Sequence, residues 1–175
     1  VAGMAIAGRL TPVALGVIFA LSGAVGPIIG QNYGAGRMDR VWRTFLDALL
    51  FTAIVIVAVT VVLFVLRAPI ADLFHAEGLT RDLVYLFCGP ICLLFFFNGA
   101  IFVANALCNN LGKPLQSTLI NWGRHTIGTV PFAWWLGGYW GAQGVLIGQA
   151  VGGVIFGALG VWLALRLIDA TPART

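Results

Sequence analysis

The chain has 175 residues, of which 60% are hydrophobic and 9% charged, with a mean hydropathy of +0.98. Soluble domains carry about 25% charged residues, so this composition excludes a soluble globule and points to the bilayer. The net charge of +4 comes from basic residues scattered over short loops, and no basic stripe with interleaved aromatics suggests a nucleic-acid partner.

A helix needs roughly 20 apolar residues to cross the hydrocarbon core. Five stretches qualify, so the expected fold is all-α, a polytopic membrane bundle of about five transmembrane helices in a single, partial membrane domain. The first span is Leu10 to Ile29, with Pro12 in its first turn. The second, Thr44 to Leu66, is rich in valine and isoleucine, which are no obstacle where only helices and closed barrels satisfy the backbone. A short helix opened by Pro69 and closed by Gly78 is expected in the following loop, with His75 as a solvated interfacial residue. Thr80 reads as the N-cap of the third span, Leu83 to Leu107. The fourth runs from Leu115 to Leu136 and the fifth from Gly144 to Leu165, separated by a turn in Gly137-Gly138-Tyr139-Trp140-Gly141. The chain begins at Val1 without methionine or a signal peptide, and it reads as a fragment of something longer.

The loops alternate sides. Arg37, Arg40, Arg43, Lys113, Arg166 and Arg174 fall on one side, against Arg9, Arg67 and Arg81 on the other. The more basic side is expected to be cytoplasmic, and with it the carboxyl terminus.

Polar groups inside the spans are the candidate functional residues, because they are costly in lipid. Asn98, Asn105 and Asn109 are spaced i, i+7, i+11 and fall on one helix face. That face lines either a wet cavity or an interhelical seam held by amides. In span four, Ser117, Asn121, Arg124 and Gly128 share a face. Arg124 lies roughly 16 Å along the axis from Lys113, near the midplane. It either serves an aqueous path or clamps backbone carbonyls. Asp47 is expected to pair with Arg43 at i, i+4. Gly148, Gly152, Gly153, Gly157 and Gly160 allow close helix approach, within this chain or in a homodimer. Cys88, Cys92 and Cys108 read as packing residues. There is no metal cluster, catalytic triad or phosphate loop in the pattern, so no enzyme activity and no cofactor are expected.

Gly30-Gln31-Asn32, Gly34-Ala35-Gly36 and Arg40 together resemble the G-Q-N-x-G-A-G-x-x-x-R signature of the multidrug and toxic compound extrusion (MATE) transporters. Gly112-Lys113-Pro114 with Ser117, Arg124 and Pro131, and then Gly141 and Gly144, extend the likeness along the chain. The resemblance implies the second lobe of a twelve-helix transporter of the inner membrane, partnered by an amino-terminal lobe that is not in this chain. It implies export of small organic, often cationic, compounds in exchange for protons or sodium ions. Some sodium-coupled relatives place a cation-binding aspartate where this chain has Asn98, an amide that cannot release a proton. A lipid-linked substrate flippase of the same superfamily and a membrane scaffold without transport are the alternatives.

Overall fold

The computed structural model describes residues 2–171; Arg174, counted above among the basic loop residues, lies outside the described residues. The order is α1 (Ala2–Gly34), α2 (Met38–Leu73), α3 (Gly78–Leu86), a π-turn (Phe87–Ile91), α4 (Cys92–Asn110), α5 (Pro114–His125) and α6 (Val130–Ala170). No strand occurs among the described residues. The all-α membrane bundle is therefore present, and its helices are longer than hydropathy alone outlines. α2 has 36 residues, about 54 Å of helix against a hydrocarbon core of about 30 Å.

Among the described residues, four continuous helical segments are long and apolar enough to cross a membrane. The last, Pro114–Ala170, has 57 residues, about 86 Å if straight. It folds back on itself at Gly141, whose φ of 57° and ψ of −133° are open only to glycine. The turn expected near Gly137 to Gly141 is thus present, and the bundle has about five crossings. The two arms of this hairpin touch through backbone. A Cβ on Gly144 would fall on the Leu136 carbonyl, one on Gly148 within 2.6 Å of the Ala133 Cα, and one on Gly152 on the Gly128 carbonyl. The next glycines face α4: Gly153 meets Asn98, Gly157 meets Phe97 and Gly160 meets Ala104. The small-residue stripe is therefore covered within the chain, which removes the basis for a homodimer through it.

α4 is the axis of the bundle, packed against α1, α2, α5 and α6. Asn98 to Ile101, Val103, Ala104, Leu107 and Cys108 are all buried. α2 behaves in the opposite way and exposes Leu50, Phe51, Ile54, Val57, Val61, Val62 and Val65. A ridge of that size on a water-soluble protein would aggregate; in a bilayer it is the lipid-facing wall. The three cysteines are buried and free, as packing residues should be.

Three turns share one device. At residues 36, 75 and 112 the chain takes a positive φ, and the next N–H reaches back five residues. Arg37 donates to Asn32 at 2.9 Å, Ala76 to Ala71 at 2.8 Å and Lys113 to Cys108 at 2.8 Å. This is the Schellman closure. Glycine supplies it at Gly36 and Gly112, whereas His75 adopts it at φ 47°.

Several local expectations are corrected. Pro12 lies well inside α1, because helix begins ten residues earlier, at Ala2. Pro69 lies inside α2 and opens no helix of its own; a proline N–H is missing but the preceding turns carry the helix on to Leu73. Gly78 starts α3 and does not end a helix, and the N-cap is Glu77, not Thr80, since Thr80 already donates to the Glu77 carbonyl at 3.0 Å. Asp47 and Arg43 are not paired; the ion pair among the described residues is Arg81 to Asp72, at 3.4 Å.

Candidate functional site

Two irregularities interrupt the helices at depth, and both lie on the same cavity. The first is the π-turn, where Pro90 lacks the N–H an α-helix needs and Gly89 departs to φ −111°, ψ −108°. The second is residues 126–129, between α5 and α6. There threonine hydroxyls bond back to the helix they leave. Thr126 donates to the Trp122 carbonyl at 2.7 Å and Thr129 to the Arg124 carbonyl at 2.9 Å. Broken helix inside a membrane is tolerated where it is buried in protein or lines a cavity.

The cavity has a volume of about 360 Å³, within the range of small-molecule sites. Leu15, Phe87, Ile91, Phe95 and Leu146 form apolar walls. The polar lining is Thr11 from α1, Asn98 from α4, Arg124 and His125 from the end of α5, Thr129 from the break, and Gln149 from the returning arm of α6.

Of the residues singled out from sequence, Asn98 and Arg124 are brought together here. Asn98 is 7% exposed and its Oδ1 is buried without a hydrogen-bond partner. The other amides go elsewhere. Asn105 is half-buried, also with an unpartnered Oδ1, but it does not line this cavity. Asn109 is exposed at the end of α4. Asn121 is half-buried and donates to the Ser117 carbonyl at 2.9 Å within its own helix. Thr11, His125, Thr129 and Gln149 were not anticipated. A lone polar residue in each of several spans was the available signal, and only the packing shows that they converge.

The signature loop has a different task. A Cβ on Gly30 would lie 2.7 Å from the Asn110 Oδ1, and one on Gly26 would lie 3.2 Å from its Nδ2. These glycines seat Asn110, which donates to the Ala106 carbonyl at 2.8 Å. Asn32 donates to the Ile28 carbonyl at 2.8 Å, and Gly36 makes the turn. Gly34 meets open space, and Gln31 and Arg40 are exposed. Gly30 is fifteen residues along α1 from Leu15 of the cavity wall, about 22 Å. The loop therefore shapes the α1–α2 turn and does not touch the cavity.

The six acids of the chain are Asp39, Asp47, Asp72, Glu77, Asp82 and Asp169, and all are exposed. None lines the cavity. Arg124 is its one formally charged residue, and no hydrogen bond or ion pair engages its guanidinium among the described residues.

Comparison with known proteins places this arrangement. The sequence model of the MatE family matches residues 1–135. An FAD transporter of Shewanella oneidensis is 30% identical over 175 residues, covering 95% of this chain and 37% of that protein. An uncharacterized 21 kDa protein of Pseudomonas savastanoi is 34% identical over 151 residues, covering 84% of this chain and 48% of that protein. The chain thus spans about half or less of the curated relatives it matches. Among solved structures, a mutant of the Vibrio cholerae MATE transporter VcmN superposes with a TM-score of 0.86 at 25% identity, covering 95% of this chain and 38% of that one. The outward-facing conformation of a multidrug resistance MATE transporter superposes with a TM-score of 0.87 at 21% identity, covering 97% of this chain and 38% of that one.

Proposed function

Because the chain belongs to the MatE family of membrane transporters, we propose that it forms the second lobe of an antiporter exporting small organic compounds in exchange for protons or sodium ions. The observation that carries the reading is the cavity at the broken helix, with Asn98 and Arg124 on its wall. Interrupted helices and polar groups near the midplane are how secondary transporters build their sites. The exchanging lobes of such proteins rock against each other, and a second lobe supplied by the rest of the polypeptide completes the path. The FAD transporter among the relatives supports an organic solute as cargo. The amide at Asn98 and the exposure of every acid in this chain support a coupling carboxylate in the other lobe. Asn105 and Asn121 keep a place along the cleft that the two lobes enclose, whereas Asn109, at the exposed end of α4, lies outside the solute's seat.

The test is exchange in vesicles of the intact transporter. An imposed proton or sodium gradient should drive an organic solute uphill, and the solute gradient should in turn drive the ion. Flux down the solute gradient that ignores both ions would refute antiport. A flippase for lipid-linked substrates would instead move label between leaflets with no soluble solute exchanged. A scaffold would do neither, and a polar cavity of this size is not something a scaffold needs.

The same reading has the chain in the inner membrane, and the asymmetry of basic residues supports a cytoplasmic carboxyl terminus. Glu77 and Ala35 are both exposed at opposite ends of α2. In intact cells, Glu77→Cys should label with an impermeant thiol reagent and Ala35→Cys should not. Labelling of Ala35→Cys alone would invert the orientation. Ala76, one residue away from Glu77, is 3% exposed and would mislead as a probe.

A further inference from the structure

We propose that the cavity is an oxyanion site, in which the Arg124 guanidinium takes a carboxylate or phosphate group of the transported solute. An arginine at mid-depth in lipid is costly unless something engages it. Here Arg124 lines the cavity with no acid among the lining residues, and every acid of the chain is exposed. An organic cation in this space would meet a like charge with no carboxylate to offset it. An oxyanion would meet a planar fork whose geometry matches its own, with two N–H groups aligned to two oxygens.

The neutral lining supports the same sign. The hydroxyl protons of Thr11 and Thr129 are already committed, to the Ala7 and Arg124 carbonyls at 2.9 Å each. Free to donate are the amide of Asn98, the amide of Gln149 and the ring of His125. Asn98 is more than nine-tenths buried and makes no hydrogen bond. Its buried unpartnered atom is the acceptor Oδ1, which lies against Gly153 and offers an oxyanion nothing, so the group Asn98 can give such a ligand is its Nδ2. The apolar walls suit the organic remainder of such a solute.

The inference rests on the transport reading for the site's purpose, but it is tested by binding, with no gradient present. The intact transporter in an uncharged detergent is titrated with inorganic pyrophosphate, with succinate, with tetraethylammonium and, in a separate arm, with phosphatidylglycerol. The readout is the thermal unfolding midpoint from tryptophan fluorescence, since a ligand of the folded state raises it saturably. Pyrophosphate or succinate should raise the midpoint. Arg124→Gln should weaken that effect by about tenfold or more, as loss of a charged hydrogen-bond partner implies. Arg124→Lys should fall between, keeping charge without the fork. Arg43→Gln, an exposed arginine on α2, which contributes nothing to the cavity lining, should bind as wild type.

If phosphatidylglycerol alone shows the Arg124 dependence, the oxyanion is a lipid headgroup and the solute assignment is overturned. Stabilisation by tetraethylammonium and by neither anion overturns the site, as does unchanged pyrophosphate binding by Arg124→Gln. A lowered ligand-free midpoint in Arg124→Gln with no anion binding in wild type also overturns it, by assigning Arg124 to an acid of the other lobe. Absent binding with intact vesicle exchange removes the oxyanion alone; binding without exchange removes the transport reading alone.

Discussion

Gly152→Val should leave little folded protein in the membrane. Gly152 sits where the two arms of the α6 hairpin cross, and its missing side chain is what lets them touch. A Cβ there would coincide with the Gly128 carbonyl and stand 3.1 Å from the Thr129 amide nitrogen. Neither obstacle is a side chain that could rotate away. Both belong to the short stretch between α5 and α6 that carries the cavity break. The arms must therefore separate, and the contacts at Gly148 and Gly144 loosen with them. Overpacking of this kind costs about 1–3 kcal/mol in a deformable core and more where backbone meets backbone, a large part of a typical total stability of about 5–15 kcal/mol. Size-exclusion profiles of fluorescently tagged protein, extracted in mild detergent, read this directly. Gly152→Val should run as aggregate or be absent. Gly138→Ala, at a glycine with open space around it, should match wild type. A monodisperse Gly152→Val at wild-type level would contradict the hairpin packing.

Arg124→Ala should behave in the reverse manner, keeping the protein and losing the transport. Removing a charge that no described residue engages takes away no stabilising contact, and it relieves a desolvation cost estimated at roughly 3 to above 10 kcal/mol for an arginine in lipid. Amounts in the membrane should stay at the wild-type level or rise. Export per molecule should drop by about tenfold or more, the scale of losing one charge-assisted hydrogen bond at a site. Arg124→Lys should recover part of it, because lysine supplies a point charge without the planar fork. Normal export by Arg124→Ala at normal protein level would leave Arg124 as a tolerated structural residue and would empty the cavity of its function.

The contrast between these two positions shows which features a sequence can disclose. Length and hydropathy disclosed the crossings, because lipid permits so few alternatives. Gly36 and the Gly137 to Gly141 stretch disclosed turns, because a positive φ narrows the residue choice to glycine. His75 broke that rule by taking the same conformation with a side chain, and the end of α2 was misplaced because Pro69, which lies inside that helix, reads as the start of another. The helix break at 126–129 was not legible. Thr126-Ile127-Gly128-Thr129 holds no proline, and in an apolar run it reads as more helix. At the break the Thr126 and Thr129 hydroxyls return hydrogen bonds to the Trp122 and Arg124 carbonyls, a choice the hydroxyls offer but do not announce.

The site was half legible for a similar reason. Helical periodicity put Asn98, Asn105 and Asn109 on one face, and Asn121 with Arg124 on another. A shared face says nothing about which neighbour it meets at each level. Along α4, Asn98 meets Gly153 and the cavity, whereas Asn109, eleven residues on, has reached the exposed end of the helix. Gly26 and Gly30, prominent in the signature, serve Asn110 at the far end of the bundle.

The central claim is that a water-accessible cavity around Asn98 and Arg124 lies within the lobe and is occupied during transport. Thiol labelling of Asn98→Cys tests it most directly, in the intact transporter with Cys88, Cys92 and Cys108 replaced by alanine. A small charged methanethiosulfonate reagent should react at Asn98→Cys despite its burial, and transported solute should slow that reaction. Asn109→Cys, at an exposed position, should react equally with or without solute. An Asn98→Cys that stays inert under every condition, while Asn109→Cys reacts, would contradict the account and return Asn98 to the role of an amide sealing one helix against the next.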